Sequence, residues 1–247
     1  MRGTPFKLPN VLKGVPRNVL HDSLYSNRDL VGSNGTALAK SGRLIMAMFG
    51  GDTLTELDLT SRRERVLANG VSSPNFTRPN DLAIARNGDI WFSAEQGLFR
   101  FHAGQITLMR VMAANGLAFS PDQKFLYVTD GPTKIQKLAI NRDGSVGKVA
   151  LFIDTEGDPA KGEFVDGLKV DKRGNIWAVA PGGIWIIGSD GRRLGRILAP
   201  KVRTPMGSAQ RFTNLAFGGR DGRTLFLTAP GAVYKIALVS AAFSKRR

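Results

Sequence analysis

The sequence contains no cysteine, so disulfide bonds and thiol chemistry are both excluded. Histidine is nearly absent, with only His21 and His102, and no Gly-x-Ser-x-Gly motif occurs, which leaves little basis for a catalytic triad. Neither a P-loop nor a Gly-x-Gly-x-x-Gly motif is present. These absences leave carboxylates, amides, hydroxyls and basic side chains as the candidates for a functional site.

Long apolar runs are also missing: no segment approaches the roughly 18 consecutive apolar residues that a membrane span needs. Pro9, Lys13 and Pro16 interrupt any apolar stretch near the start, so we expect no secretory signal there. With 42 % apolar content, the chain is predicted to form a single domain over residues 1–247. The lack of cysteine favours the cytoplasm, and a secreted protein whose signal has been removed is the alternative.

The net charge of +15 suits a polyanionic partner. However, Lys and Arg are spread along the chain, and only small clusters occur, at 62–65, 192–193 and 245–247. No nucleic-acid-binding motif accompanies them. We therefore interpret the charge as an arginine-rich solvated surface and expect neither a specific nucleic acid nor a membrane as partner. An interaction scaffold that binds anionic polymers is the competing interpretation.

A repeat organises most of the chain. Five stretches begin with a polar residue, continue into a short apolar segment, and are followed by a turn signal and a second apolar run. Their first residues, spaced 35 to 51 positions apart, are Asn34, Asn80, Asn115, Asp166 and Asn214. A repeat of roughly 40–50 residues built from strands predicts the blades of a β-propeller.

The two ends of the chain are predicted to close the ring of blades. Residues 1–33 contain no such unit and are interrupted by proline. We expect this irregular N-terminal segment to supply one or two strands that complete the ring with the C-terminal run 232–239, because joining the termini removes a sheet edge. The predicted fold class is all-β: a β-propeller of four-stranded blades, either six-bladed with a thinned blade or five-bladed.

The turn signals are Gly-containing dipeptides. Asn87-Gly88 is favoured in type I′ hairpins, in which both central residues have positive φ. Ser41-Gly42, Arg173-Gly174 and Asp221-Gly222 occupy the corresponding place in other repeats. The three tryptophans fall in repeat strands and are predicted to belong to the core between blades: Trp91, Trp177 and Trp185.

The polar residues that begin the repeats form a candidate functional site. Equivalent residues of a propeller face one another, so four amides and one carboxylate would converge. Amide and carboxylate oxygens suit Ca²⁺, Mg²⁺ or Mn²⁺ better than a metal that prefers thiolate or imidazole. The alternative is structural, because Asn or Asp before Gly is a common turn former and often caps a strand.

The chain also resembles a known family. The segments 78–81 with 87–92, 115–122 with 125–130, 166–171 with 174–177, and 214–219 with 225–229 look like the senescence marker protein/gluconolactonase family of regucalcin-like lactonases. The match runs in order from about residue 33 to 237. This resemblance implies a six-bladed propeller that holds one divalent cation and opens sugar or other small lactones.

The resemblance also implies roles for individual residues. By position, Asn80, Asn115 and Asp166 match metal ligands of the family, Asp166 also matches its acid/base residue, and Arg78 matches a substrate-contacting arginine. Asn34 and Asn214 are additional candidates for the same site. The expected cofactor is one divalent cation, Ca²⁺ first, with Mg²⁺, Mn²⁺ or Zn²⁺ as alternatives. The expected activity is metal-dependent hydrolysis of a small lactone.

The chain departs from the family pattern at two acidic positions. The glutamate of the family's first blade has no counterpart, because no Glu precedes Glu56. A further acidic residue is replaced by Ala94. One carboxylate instead of two should weaken cation binding, so a metal-free or non-catalytic propeller that binds a small ligand is the alternative function.

Overall fold

The computed structural model describes residues 4–6, 33–71, 74–157, 164–199, 211–230 and 232–242. These residues form twenty strands in five four-stranded antiparallel sheets. The predicted all-β propeller of four-stranded blades is confirmed, with five blades in the part of the chain that is described. His21, the tail 245–247 and most of the segment 1–33 lie outside the described residues, which include no helix able to cross a membrane.

Four of the sheets are built from consecutive strands, each pairing with the next along the chain. The first contains β2 (Ser33–Leu38), β3 (Leu44–Met48), β4 (Thr53–Leu57) and β5 (Glu64–Asn69). The second contains β6 (Leu82–Ile84), β7 (Ile90–Ala94), β8 (Gly97–His102) and β9 (Gln105–Arg110). The third contains β10 (Ala114–Phe119), β11 (Phe125–Asp130), β12 (Lys134–Ile140) and β13 (Val146–Asp154). The fourth contains β14 (Leu168–Val170), β15 (Ile176–Ala180), β16 (Gly183–Ile187) and β17 (Arg193–Leu198).

The fifth sheet joins the two ends of the chain. It contains β18 (Asn214–Gly218), β19 (Thr224–Ala229), β20 (Ala232–Ala237) and, as its fourth strand, β1 (Thr4–Phe6). β1 runs antiparallel to β20, and Thr4 lies opposite Lys235. The N-terminal strand therefore covers the edge that β20 would otherwise leave open.

The chain divides into two compact units. The first unit comprises residues 10–117 and 141–146, and the second comprises 1–9, 118–140 and 147–247. The prediction of a single domain stays a prediction. The core of the first unit lies between its first and second sheets, where the rings of Phe76, Phe92 and Phe99 pack with centroids 5.0 to 5.9 Å apart.

The core of the second unit consists of two clusters. One surrounds Ile135, Ile176 and Trp185, and the other surrounds Leu225 and Tyr234. The tryptophans lie where the sequence predicts. Trp91 and Trp185 are buried, and Trp177 of the fourth sheet packs edge-on against Phe217 of the fifth at 5.4 Å.

The hairpin turns differ from the predicted type. The N–H of Ala85 donates to the Asp89 carbonyl, and the N–H of Gly88 donates to the Ala85 carbonyl. Gly88 has a φ of 96°, whereas Asn87 is not among the residues with positive φ. The loop is therefore a three-residue type I turn that ends in a left-handed glycine, and the type I′ prediction was wrong. Gly42 and Gly174 adopt the same arrangement.

A buried carboxylate holds the same hairpin. Asp89 accepts hydrogen bonds from Arg100 Nε at 2.7 Å and Asn87 Nδ2 at 2.9 Å, and lies 2.5 Å from His102 Nδ1. Burial would raise the pKa of Asp89, but the hydrogen bonds from His102, Arg100 and Asn87 outweigh it, so this pKa lies below the usual range. The His102 side chain itself is mostly exposed.

We predict that Gly35→Ala lowers the free energy of unfolding by about 1–3 kcal/mol. An added methyl group would lie 2.6 Å from Asp81 Cα and 2.8 Å from the Asn80 carbonyl oxygen. Gly195→Ala is the matched control, because its methyl would meet nothing within 4 Å. Urea denaturation should show a change within about 1 kcal/mol for the control. Equal losses in both variants would contradict the close approach at Gly35.

We predict that Asp89→Asn lowers the free energy of unfolding at pH 7 by about 1–3 kcal/mol. Because the folded-state pKa of Asp89 is lowered, its carboxylate stabilises the protein above the usual Asp pKa of about 3.9 and loses this effect as pH falls through the folded-state value. Urea denaturation at neutral and acidic pH should show a steeper loss on acidification in the wild type than in the variant. Parallel pH profiles would exclude this role for Asp89.

Candidate functional site

The residues predicted to form the site occupy matching places in their sheets. Asn80 donates its N–H to the Ser93 carbonyl at 2.8 Å, and Asp166 donates its N–H to the Val179 carbonyl at 3.2 Å. Each precedes by two positions a buried leucine of the first strand, Leu82 or Leu168. The strand register therefore makes Asn80 and Asp166 equivalent, as the repeat predicts.

Asn115 fits the same scheme, and Asn34 matches it in register only, because Thr36, two residues on, pairs with Met46, 10 residues further on, but is exposed. Asn115 lies in β10, two residues before the buried Leu117. Asn34 lies in β2, where the register shifts between Ser33 and Thr36, and is exposed.

The predicted equivalence of Asn214 was wrong by one residue. Leu215 pairs with Leu227, 12 residues further on, whereas Leu82 pairs with Phe92, 10 residues further on. The fifth hairpin is thus two residues longer, and the position equivalent to Asn80 falls on Thr213. Asn214 instead takes the place of Asp81.

Two hydrogen bonds confirm this register. Asn214 Oδ1 accepts the N–H of Leu215 at 2.8 Å, just as Asp81 Oδ1 accepts the N–H of Leu82 at 2.8 Å. We call the residues at the Asn80-equivalent position of each sheet the anchors: Asn34, Asn80, Asn115, Asp166 and Thr213. Because side chains alternate along a strand, a shift of one residue turns the Asn214 side chain away from the direction that an anchor side chain takes in the same sheet. Thr213 Oγ1 lies 2.9 Å from Thr228 Oγ1.

The glycines that follow the anchors have a structural role. The N–H of Gly35 donates to the Asn80 carbonyl at 2.6 Å, and the N–H of Gly167 donates to the Thr213 carbonyl at 3.0 Å. A methyl group at Gly167 would overlap Asn214. Each glycine thus lets the start of one sheet approach the start of the next, and the anchor backbone is fixed on both sides.

Asn115 carries an unsatisfied polar atom. Within the part of the chain that the structure describes, its Oδ1 is buried and accepts no hydrogen bond. A buried carbonyl oxygen without a donor costs free energy unless a ligand supplies one. An amide oxygen of this kind fits a hard divalent cation.

Asp166 faces a guanidinium group that sequence reasoning missed. Arg211 Nη1 lies 3.9 Å from Asp166 Oδ2, both side chains are largely buried, and the guanidinium stacks 4.3 Å from the Phe164 ring centroid. The sequence does contain a signal for Arg211, but it can be recognised only after the register of the fifth sheet is corrected. Arg211 precedes Thr213 by two residues, as Arg78 precedes Asn80.

Arg78 is held in an unusual conformation. Its φ is 51°, which side-chain-bearing residues rarely adopt. Its N–H donates to Asp52 Oδ1 at 2.7 Å, its Nη1 donates to Glu95 Oε1 at 2.8 Å, and its guanidinium lies 4.7 Å from the Phe49 ring centroid. Strained backbone of this kind is typical of positions that bind ligands.

The acidic residue expected at position 94 is replaced by a buried alanine in β7. The described residues contain no group of three or more His, Asp or Glu side chains placed to hold a metal ion. The predicted ligand set is of a different kind, with amide oxygens and one carboxylate. Asn80, Asn115 and Arg78 belong to the first unit and Asp166 to the second, so their meeting at one site stays a prediction.

These features define an antiparallel propeller whose sheets begin with amide, carboxylate and hydroxyl side chains. The chain belongs to the SMP-30/gluconolactonase/LRE-like family, which matches residues 16–230. A gluconolactonase from Zymomonas mobilis is 28 % identical over 83 % of this chain and 63 % of its own. A 6-deoxy-6-sulfogluconolactonase from Pseudomonas putida is 30 % identical over 78 % of this chain and 67 % of its own.

A solved structure shows the same fold. The gluconolactonase of Xanthomonas campestris superposes with a TM-score of 0.70 at 28 % identity, over 83 % of this chain and 72 % of its own. The chain thus spans somewhat less than two thirds of the Zymomonas relative and about two thirds of the Pseudomonas one.

We predict that Asn115→Leu leaves the metal-free protein as stable as the wild type, or more stable by about 1 kcal/mol, because it removes a buried acceptor that has no donor among the described residues. Urea denaturation in the presence of a chelator measures this. Asn175→Leu serves as the comparison, because Asn175 Nδ2 donates to Asp171 Oδ2 at 2.9 Å and its loss should destabilise. Destabilisation by Asn115→Leu as large as that by Asn175→Leu would show that Asn115 is structural.

Proposed function

We propose that this chain is a divalent-metal-dependent hydrolase that opens a small, sugar-type lactone ring. The proposal depends chiefly on one observation: the chain belongs, over residues 16–230, to a family in which relatives at 28–30 % identity are named as lactonases. The matching places of Asn80 and Asp166 in their own sheets, and the buried Oδ1 of Asn115, are consistent with this activity.

Asn80, Asn115 and Asp166 would hold the cation, with Ca²⁺ expected first and Mg²⁺, Mn²⁺ or Zn²⁺ as alternatives. A bound divalent cation would supply Lewis acidity, polarising a lactone carbonyl and lowering the pKa of a bound water. The Oδ1 of Asn115, which has no hydrogen-bond partner among the described residues, supports this assignment. The missing second carboxylate predicts weaker binding than a site with two would show.

The protein's own groups would handle the proton and the substrate. Lactone hydrolysis adds water to the carbonyl carbon, breaks the bond from that carbon to the ring oxygen, and places a proton on the leaving oxygen. The Asp166 carboxylate would accept the proton of the attacking water and return it to the ring oxygen. The guanidinium of Arg78, held by Glu95 and the Phe49 ring, would orient the substrate's hydroxyl groups, while Asp52 fixes the backbone N–H of the same residue.

A metal-free propeller that binds a small ligand is the second candidate. The observation that favours it is the buried Ala94 at a position where the family has an acidic residue. In that case Asn115 Oδ1 would accept a hydrogen bond from the ligand instead of binding a cation. The two candidates differ in whether chelation abolishes binding.

We predict that Asp166→Ala abolishes both cation binding and lactone hydrolysis while the protein stays folded. Calorimetry with Ca²⁺, Mg²⁺, Mn²⁺ and Zn²⁺ on chelator-treated protein measures binding, and acid release from glucono-lactone measures turnover. A loss of at least about a hundredfold in turnover is expected for removal of a proton acceptor. Asp190→Ala is the control, because Asp190 is exposed in a turn and accepts the N–H of Arg192. Unchanged hydrolysis in Asp166→Ala would refute the proposed role of this residue.

A further inference from the structure

The left-handed turn at Arg78 is bound tightly to the turn between β7 and β8. The N–H of Thr77 donates to Gln96 Oε1 at 2.9 Å, Gln96 Nε2 donates to Thr77 Oγ1 at 2.8 Å, and the N–H of Glu95 donates to the Thr77 carbonyl at 3.1 Å. The two segments therefore form one hydrogen-bonded group at the end of the second sheet where Asn80 precedes the first strand, β6.

Two carboxylates flank the Arg78 guanidinium and backbone in this group. Glu95 Oε1 accepts from Arg78 Nη1 at 2.8 Å, and Glu95 Oε2 accepts from Thr77 Oγ1 at 2.8 Å. Asp52 Oδ1 accepts from the N–H of Arg78 at 2.7 Å. Because both oxygens of Glu95 are engaged, its half-exposed carboxylate is held beside the guanidinium.

The net charge of this group is negative, whereas an arginine alone would present a positive charge. One cation, Arg78, stands among two anions, Asp52 and Glu95. A guanidinium has five N–H donors, so Arg78 keeps donors for hydroxyl groups of a neutral ligand while its charge is neutralised by Glu95. A phosphate, sulfonate or carboxylate substituent that approached the remaining donors would lie close to the carboxylates of Glu95 and Asp52, and like charges repel.

We propose that Glu95 is a specificity-determining residue that restricts the site to uncharged polyhydroxy lactones and disfavours lactones with an anionic substituent. This inference rests on the proposed function, since it requires that lactones bind beside Arg78. Glu95 acts through Arg78 and through its own charge, not on the reacting atoms.

The test compares kcat/KM for neutral glucono-1,5-lactone with kcat/KM for the same lactone carrying a phosphate at C6. The wild type should favour the neutral substrate by roughly tenfold. Glu95→Gln keeps the size of the side chain and removes its charge, so the ratio of anionic to neutral kcat/KM should rise about fivefold or more. The gain should shrink at high salt, because partly exposed charges are screened.

Two further variants separate this effect from a general disturbance. In the double variant Arg78→Gln/Glu95→Gln, the gain should disappear, because no guanidinium remains to receive the anion. Glu64→Gln removes an exposed carboxylate at the end of the β4–β5 pair opposite to Asp52, and should leave the ratio unchanged. An equal gain in Glu64→Gln would show a nonspecific effect of net charge and overturn the proposal.

The failure of this inference is distinguishable from the failure of the proposed function. If the wild type hydrolyses the neutral lactone but Glu95→Gln leaves the ratio unchanged, the role of Glu95 is wrong and the lactonase activity stands. If the wild type hydrolyses neither lactone with any of the four cations, the proposed function is wrong and the inference falls with it.

Discussion

The hydrogen bond from the N–H of Gly35 to the Asn80 carbonyl is the contact on which the first unit's site depends. It brings the start of β2 so close to the start of β6 that no side chain fits at residue 35. Gly167 and the Thr213 carbonyl repeat the arrangement in the second unit. Because backbone groups satisfy one another there, these backbone groups do not need the anchor side chains as hydrogen-bond partners.

This contact reconciles two interpretations of the Asn-Gly and Asp-Gly pairs. The glycine is structural, since a Cβ would overlap the neighbouring sheet. The polar residue before the glycine need not form hydrogen bonds within a turn. Asn115 is the example, because its Oδ1 is buried and has no partner among the described residues. By contrast, Asn214 does cap its own strand, through the bond to the N–H of Leu215. An asparagine at the start of a sheet can therefore either cap its strand or leave its side-chain oxygen available, depending on its position in the strand register.

Several acidic side chains accept hydrogen bonds from backbone N–H groups of their own turns. The two arginines near the anchors make a different kind of contact. Asp58 accepts the N–H groups of Thr60 and Ser61, and Asp171 accepts those of Arg173 and Asn175. Arg78 and Arg211 instead stack on phenylalanine rings and contact Glu95 and Asp166. An arginine two residues before the anchor thus recurs in both units, each paired with one carboxylate.

The sequence by itself determined the all-β class, the four-stranded repeat and the places of Asn80, Asn115 and Asp166, because strand periodicity and turn residues are local properties of the chain. Only the tertiary structure decided the identity of the fifth anchor, since a hairpin two residues longer shifts the register without changing the motif around Asn214. It also revealed Arg211 beside Asp166 and the Glu95–Arg78 pair. Those partners lie 45 and 17 residues apart in the chain, and only strand pairing and loop packing, which no local pattern records, bring them into contact.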